Sequence, residues 1–222
     1  MRPTGKHTTR RRPTMSVLDR LSSQTRDRTA GSNRRVIAEC LARPALLAEI
    51  AEGLAGKDAA LLGDCAEVLT EVAKERPEWV APYSGPLAAL LTHTTTRVRW
   101  EATHALALVA SQDPADIAPL LPRLAQMIHD DASVVVRDYA VDAMGNYAAT
   151  SEAAARAACP VLVASLPLWN GKQAAHALEG LVHVVSAAPG LADELRPLGA
   201  RYLDDGRARV RKAAKALVKA TG

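Results

Sequence analysis

Two stretches decide the fold: VRWEATHAL at residues 98–106 and VRDYAVDAM at residues 136–144. Both fit V-R-x-x-A-x-x-A-(L/M), so one pattern recurs from Val98 to Val136. Apolar residues at i, i+4, i+7 and i+8 line one face of a helix, and Ala at two of those positions lets a neighbouring helix come close. Looser copies keep the frame: LLGDCAEVL (61–69), NGKQAAHAL (170–178) and ARVRKAAKAL (208–217). Anchored on Leu62, Arg99, Arg137, Gly171 and Val210, the copies follow one another at a period of about 38 residues, inside the range of helical repeat arrays. A period of this length marks a supersecondary unit that buries its apolar face only against its neighbours.

Prolines repeat in step. Pro77 in KERPEW, Pro114 in SQDPAD and Pro189 in SAAPGL are separated by one and then two such periods. Each follows a helical segment, where a proline halts a helix at little cost. A second series, Pro44, Pro86, Pro119, Pro160 and Pro197, introduces PALLAEIAEGL, PLAALL, PLLPRLAQMI, PVLVASLPL and PLGARYL. Proline suits the first helical turn because the N–H it lacks has no helical partner there. These five segments are expected to be the first helices of five pairs, with the five copies above as the second helices.

The chain from residue 34 onward thereby resembles the HEAT-repeat family, stacks of antiparallel helix pairs of armadillo type. Proline in the first helix, Asp or Asn in the turn and V-R-x-x-A at the start of the second helix carry the resemblance. It is strongest at Val98, Arg99 and Ala102, and at Asp131, Val136, Arg137 and Ala140. Repeats one, four and five keep the apolar frame but lose or shift the Arg. The resemblance implies an all-α, right-handed superhelix of about five helix pairs, with repeats near 34–76, 77–113, 114–150, 151–188 and 189–222. It also implies that Arg99 and Arg137 bond turn carbonyls or acids such as Asp130 and Asp131. Residues 34–42, RRVIAECLA, read as a capping helix. Residues 1–33 read as a basic, disordered tail with one short helix, and TRDRTAGSN within it as a linker.

Composition agrees with this reading. Of 222 residues, 44 are Ala, seven are aromatic and none is Phe, which suits helices in close contact. The net charge of +4 is unevenly placed. Residues 1–35 hold ten basic and two acidic groups, residues 36–131 seven and 14, and residues 132–222 eleven and eight. The last helix region, 206–222, has six basic residues and no acidic one. MSVLDRLSSQ from Met15 reads as a natural start, which leaves 1–14 dispensable. Cys40, Cys65 and Cys159 show no CxxC spacing and read as buried thiols; with no secretory signal and no membrane span, the expected location is cytoplasmic.

Aligned second helices bring equivalent positions into columns. One residue after the anchor stand Gly63, Trp100, Asp138, Lys172 and Arg211; two after it, Asp64, Glu101, Tyr139, Gln173 and Lys212; five after it, Glu67, His104, Asp142 and His176. In a solenoid such columns line the concave face. The expected partner-binding set is Trp100, Glu101, His104, Asp138, Tyr139, Asp142, Gln173, His176, Arg211 and Lys212, on a face running from acidic to basic. Trp100 and Tyr139 are candidate hot spots. His104 and His176 stand two repeats apart, too far to share an ion at metal-ligand distances, so a polar ladder between repeats is expected and no metal or cofactor.

No phosphate-cradling loop, nucleophile elbow or metal motif appears. The expected function is therefore a non-enzymatic scaffold that holds a protein or peptide on its concave face. The alternatives are nucleic-acid binding through Arg10, Arg11, Arg12 and the basic last helix, including a version like the DNA glycosylases of HEAT-like fold, and a tailoring enzyme like the bilin lyases. Glycosylase sites need several aromatics and a carboxylate around an extruded base, a pattern this chain does not show.

Overall fold

The computed structural model describes residues 15–222, and every regular element among them is helical. Arg10, Arg11 and Arg12 lie outside the described residues. Eleven helices build the layers: α1 (Gly31–Ala42), α2 (Leu46–Gly53), α3 (Ala59–Glu75), α4 (Ser84–Ala89), α5 (Thr96–Val109), α6 (Leu121–Asp130), α7 (Val134–Ala148), α8 (Glu152–Ser165), α9 (Ala174–Ala187), α10 (Ala192–Ala200) and α11 (Ala208–Ala220). The arrangement is an all-α solenoid of HEAT and armadillo type. Helices α3, α5, α7, α9 and α11 stack directly on one another, whereas the first helices α2, α4, α6, α8 and α10 meet each other sparsely. The tightly stacked second helices are therefore the inner side of the curve.

Local chemistry sets the helix ends. Asp58, Ser133 and Ser151 cap α3, α7 and α8 by accepting from the N–H groups of Ala60, Val136 and Ala154, which satisfies donors that a helix start leaves open. Pro77 and Pro114 sit in the first turn of short helical segments, Pro77–Val80 and Pro114–Ile117, that lead into the first helices. Two other prolines depart from expectation. Pro160 lies inside α8 and Pro197 inside α10, because capping by Ser151 starts α8 at Glu152, well before Pro160, and the turn Pro189–Leu191 leads directly into α10. In repeat four the segment NGK does not open the second helix: Trp169, Asn170 and Gly171 all have positive φ (52°, 58° and 69°), and α9 begins at Ala174.

The core follows the repeat frame. Val98, Ala102, Ala105 and Leu106 on α5 are fully buried, as are Val136, Ala140, Ala143 and Met144 on α7. Small residues set the spacing: a Cβ on Gly145 of α7 would stand 2.8 Å from the Cα of Gly180 on α9. The two helices touch backbone to backbone, as two side-chain-free positions permit. Cys40, Cys65 and Cys159 are buried and free. Burial pushes the Cys40 thiol up to about 11 and the Cys65 thiol up to about 12.

The ordered chain begins earlier than residue 34. Val17 and Leu21 are buried, and a short helix spans Ser22–Thr25. Asn33, fully buried, accepts from the Ser22 N–H at 2.8 Å and donates to Asp64 and Glu67 on α3. The Ser23 N–H adds a 2.7 Å bond to Asp64. Two apolar anchors and one buried amide thus hold 17–33, including TRDRTAGSN, against the first repeat. No helix of the described residues is long and apolar enough to cross a membrane.

Candidate functional site

On α5 the residues that reach the inner surface are Arg97, Trp100, His104 and Leu108, spaced three or four apart, the spacing of one helix face. Asp138, Asp142 and Asn146 on α7, and His176, Glu179 and His183 on α9, continue this stripe. Across the middle repeats it sinks into a groove of about 250 Å³ lined by His104, Tyr139, Asp142, Asn146, His176 and His183. Ala107, Gly145 and Gly180 also line it; their small size lets polar neighbours reach inward.

Each seam between second helices is stitched by polar contacts. Arg97 bridges Asp64 (2.8 Å) and Glu67 (2.7 Å). Thr70 donates its hydroxyl to the Glu101 carbonyl at 3.0 Å. Asn146 donates to the Ala107 carbonyl at 2.8 Å, and His183 Nδ1 bonds the Gly145 carbonyl at 3.0 Å. His183 is thus a donor at Nδ1, because a carbonyl only accepts. His176 Nδ1 meets Asp142 at 2.6 Å, and Gln173 donates to Asp138 at 3.1 Å. On α11, Arg209 reaches Glu179 at 3.1 Å.

The His104 and Tyr139 rings stack with centroids 3.8 Å apart and planes 7° from parallel. Burial, helped by the charge of Lys74, depresses His104 to about 4, so it is neutral near pH 7. Burial also raises the Tyr139 phenol. For His176 burial works downward, but the bond to Asp142 and the charges of Asp142 and Asp138 outweigh it and raise the imidazole. Glu101, 7% exposed, is pushed up to about 7 by burial and then by the charge of Glu67.

The ten expected partner-binding residues separate in the structure. His104, Tyr139, Asp142 and His176 come together in the groove, and Trp100 stands 36% exposed on the same α5 face. Asp138 borders them through Gln173 and His176. Glu101 and Gln173, expected on the open face, are turned into the seams and buried. Arg211 donates to the Asp205 carbonyl, and Lys212 is exposed on α11 among Lys215 and Lys219. Asp142 and His176 form a rung between repeats, while His104 stacks instead of bonding. Among the described residues no group of three or more His, Cys, Asp or Glu is arranged to hold a metal ion.

Arg99 and Arg137 hold turns. Arg99 grips Asp131 (2.8 and 3.2 Å) and the carbonyls of His93 and Thr94. Arg137, 1% exposed, donates to the Asp131 carbonyl and lies 3.9 Å from the centroid of a Trp169 ring. Asn33, Asn146, Glu179 and His183 escaped the column reading. Asn146 and His183 stand one and two helical turns beyond Asp142 and His176, a signal available in the sequence. Gly145 and Gly180, one period apart, carried the matching signal for the groove floor.

No family model and no curated protein matches the chain. Solved structures do. A designed armadillo repeat protein in complex with the peptide (KR)4 is 19% identical, with a TM-score of 0.73, 93% of this chain and 98% of the other being covered. Computationally designed armadillo repeat proteins for modular peptide recognition give 19%, 0.70, 92% and 98%. An engineered protein gives 20%, 0.69, 92% and 94%. At such identities the likeness shows the fold, a helical repeat solenoid.

Proposed function

We propose that the chain is a non-enzymatic adaptor whose inner face binds an extended peptide or a segment of a partner protein. The carrying observation is the groove across α5, α7 and α9: an aromatic stack, carboxylates at Asp142 and Glu179, and an exposed Trp100 one helical turn from His104. A stacked ring presents a flat surface with little side-chain entropy left to lose, and exposed Trp and Tyr are the residue types that anchor interfaces. Every seam beneath the groove is tied by side-chain bonds, so the surface is preorganised and binding orders few side chains. That designed proteins of this fold have been solved with the peptide (KR)4, or made for peptide recognition, supports the reading.

The test is an array of immobilised random dodecapeptides probed with the full chain and with the Trp100→Ala/Tyr139→Ala variant. The variant is expected to lose about tenfold or more on the peptides bound by the parent, the scale of one hot-spot side chain. An identical binding profile for the two chains, or no bound peptide at all, rejects the face.

A further inference from the structure

Three second helices open with an arginine that ties its own turn, and among the described residues only one of the three also finds an acid. Arg99, Arg137 and Arg211 each donate from Nη1 to a carbonyl of the turn before their helix, at His93, Asp131 and Asp205. Arg99 presents its other edge, Nε and Nη2, to the carboxylate of Asp131 in the next repeat, at 2.8 and 3.2 Å. Arg137 has the same edge and nothing to meet it. The residue is 1% exposed, and its buried Nε finds no acceptor among the described residues. The reason lies in the sequence: the next turn, 166–173, reads LPLWNGKQ and holds no Asp or Glu. In place of a carboxylate stands the Trp169 ring, its centroid 3.9 Å from the guanidinium carbon. A ring face attracts a cation but offers it no lone pair, and a buried charged donor without an acceptor bears its full desolvation cost.

We propose that the Arg137 fork receives a carboxylate from a partner: an Asp or Glu side chain on an apolar segment that docks on the turn edge of repeats three and four and displaces the Trp169 ring. This surface is separate from the inner groove and does not depend on the peptide-binding reading. Arg99 and Asp131 show which ligand such an edge takes, a carboxylate held by parallel N–H groups. Charge favours the same partner. Of the charged groups on the two turns, Asp131 is held by Arg99 and Asp130 by His129, whereas Arg137 and the exposed Lys172 pair with no acid among the described residues. Val134, one helical turn before Arg137, Val135 and Trp169 are exposed, and they give contact area to an apolar segment but not to a free ion. The ring is free to leave: it is 41% exposed, and its residue holds a left-handed φ of 52° that a bulky side chain keeps only under constraint. The constraints are the cation beneath it and the 3.1 Å bond from Nε1 to the Ile128 carbonyl. Once a carboxylate holds the cation, the indole packs on the apolar residues of the partner.

The test uses the full chain carrying Trp79→Phe and Trp100→Phe, which leaves Trp169 as the sole tryptophan and takes Trp100 out of the inner face. Its fluorescence is titrated with acetyl-Ser-Val-Glu-Val-Ser-amide, with the Gln counterpart of that peptide, and with acetate and inorganic phosphate. The Glu peptide should change the Trp169 emission saturably, and the Gln peptide should bind about tenfold more weakly. Acetate should also bind more weakly, because it lacks the apolar contact. Arg137→Lys keeps the charge but not the fork and should lose about tenfold for the Glu peptide. Since Arg137 is buried, a second pair of variants makes the test independent of how Arg137→Lys folds. Trp169→Asp places a carboxylate of the chain itself at the fork, and Trp169→Asn places the same shape there without the charge. Trp169→Asp should melt about 3 °C or more above Trp169→Asn at pH 7, a margin present above about pH 4 and lost as pH falls below it. Equal binding of the Glu and Gln peptides, or no binding of the Glu peptide, overturns the proposal, as do equal melting temperatures for Trp169→Asp and Trp169→Asn. Phosphate binding tighter than the Glu peptide overturns the carboxylate as the ligand, and acetate binding as tightly as the Glu peptide overturns the apolar segment.

Discussion

Substituting Gly145 by Ala tests whether the inner layer is set by backbone contact. Ala is the better helix former by about 1 kcal/mol, so on propensity alone Gly145→Ala stabilises. Against this, the new Cβ would lie 2.8 Å from the Cα of Gly180, about 1 Å inside the usual carbon–carbon contact distance. The neighbouring atom belongs to a helix backbone and has no rotamer to change, so α9 must move as a unit. Overpacking of this kind costs about 1–3 kcal/mol, and the expected net effect is a loss of up to about 2 kcal/mol. For a chain of this length that lowers the melting temperature by about 4–8 °C at the upper limit. Gly85 on α4 is the internal control: a Cβ there meets nothing within 4 Å, so Gly85→Ala should keep the propensity gain and melt slightly higher. Thermal melts followed by far-ultraviolet circular dichroism read both variants. A higher melting temperature for Gly145→Ala would refute backbone contact between α7 and α9.

Two further substitutions address the charges. Trp169→Ala removes the ring over the buried Arg137 guanidinium and the 3.1 Å bond from Nε1 to the Ile128 carbonyl, and should cost about 2–3 kcal/mol; Trp169→Phe should recover roughly half in the same melts, and equal stability of all three chains would show that the stack contributes nothing. Glu101, raised from 4.5 to about 7 in the folded chain, binds its proton more tightly folded than unfolded. Its favourable share of stability is therefore complete below about pH 4.5, falls as pH rises, and is exhausted above about pH 7, a swing on the order of 3 kcal/mol. Glu101→Gln should remove that slope, so the variant gains on the parent in melts from pH 5 to 8; parallel curves would mean that Glu101 titrates normally when folded.

The architecture was readable because a solenoid repeats its instructions. V-R-x-x-A at Val98 and Val136 placed two second helices, and the period placed the others, since each must bury the same face against the same kind of neighbour. The exceptions have local causes. The proline series assigns Pro160 and Pro197 to helix starts, but a proline is also tolerated where the helix can bend around its missing N–H, and Ser151 supplies an earlier start for α8. Trp169, Asn170 and Gly171 adopt left-handed conformations that only Gly, and to a degree Asn, announces in sequence. Their geometry is sustained by contacts from afar: Arg137 beneath the ring, and Arg207 donating to the Gly171 carbonyl at 2.6 Å. The segment before residue 34 reads as a linker because its composition is polar. Its order comes from partners far along the chain: the Val17 N–H donates to Glu49, and Asn33 donates to Asp64 and Glu67. Composition does not record such meetings.

The site was half legible for a geometric reason. The positions one and five after each anchor differ by four residues and share a helix face, which is why Trp100 and His104, or Asp138 and Asp142, point the same way. The position two after the anchor is rotated by about 100°. Glu101, Tyr139 and Gln173 occupy it, and the structure turns them toward the preceding helix: Gln173 bonds Asp138, Tyr139 stacks on His104, and Glu101 sits against Thr70. Treating the three columns as one surface therefore merged an open stripe with the seam beneath it. Separated, they have different jobs. The open stripe presents the rings and carboxylates that the proposed peptide would meet, and the seam holds the repeats in register with side chains that bond across it. Gln173 is the member of the seam column with an atom left over: its amide nitrogen donates to Asp138, while its buried Oε1 meets no donor among the described residues, so the register of α7 and α9 is held through one end of that amide alone.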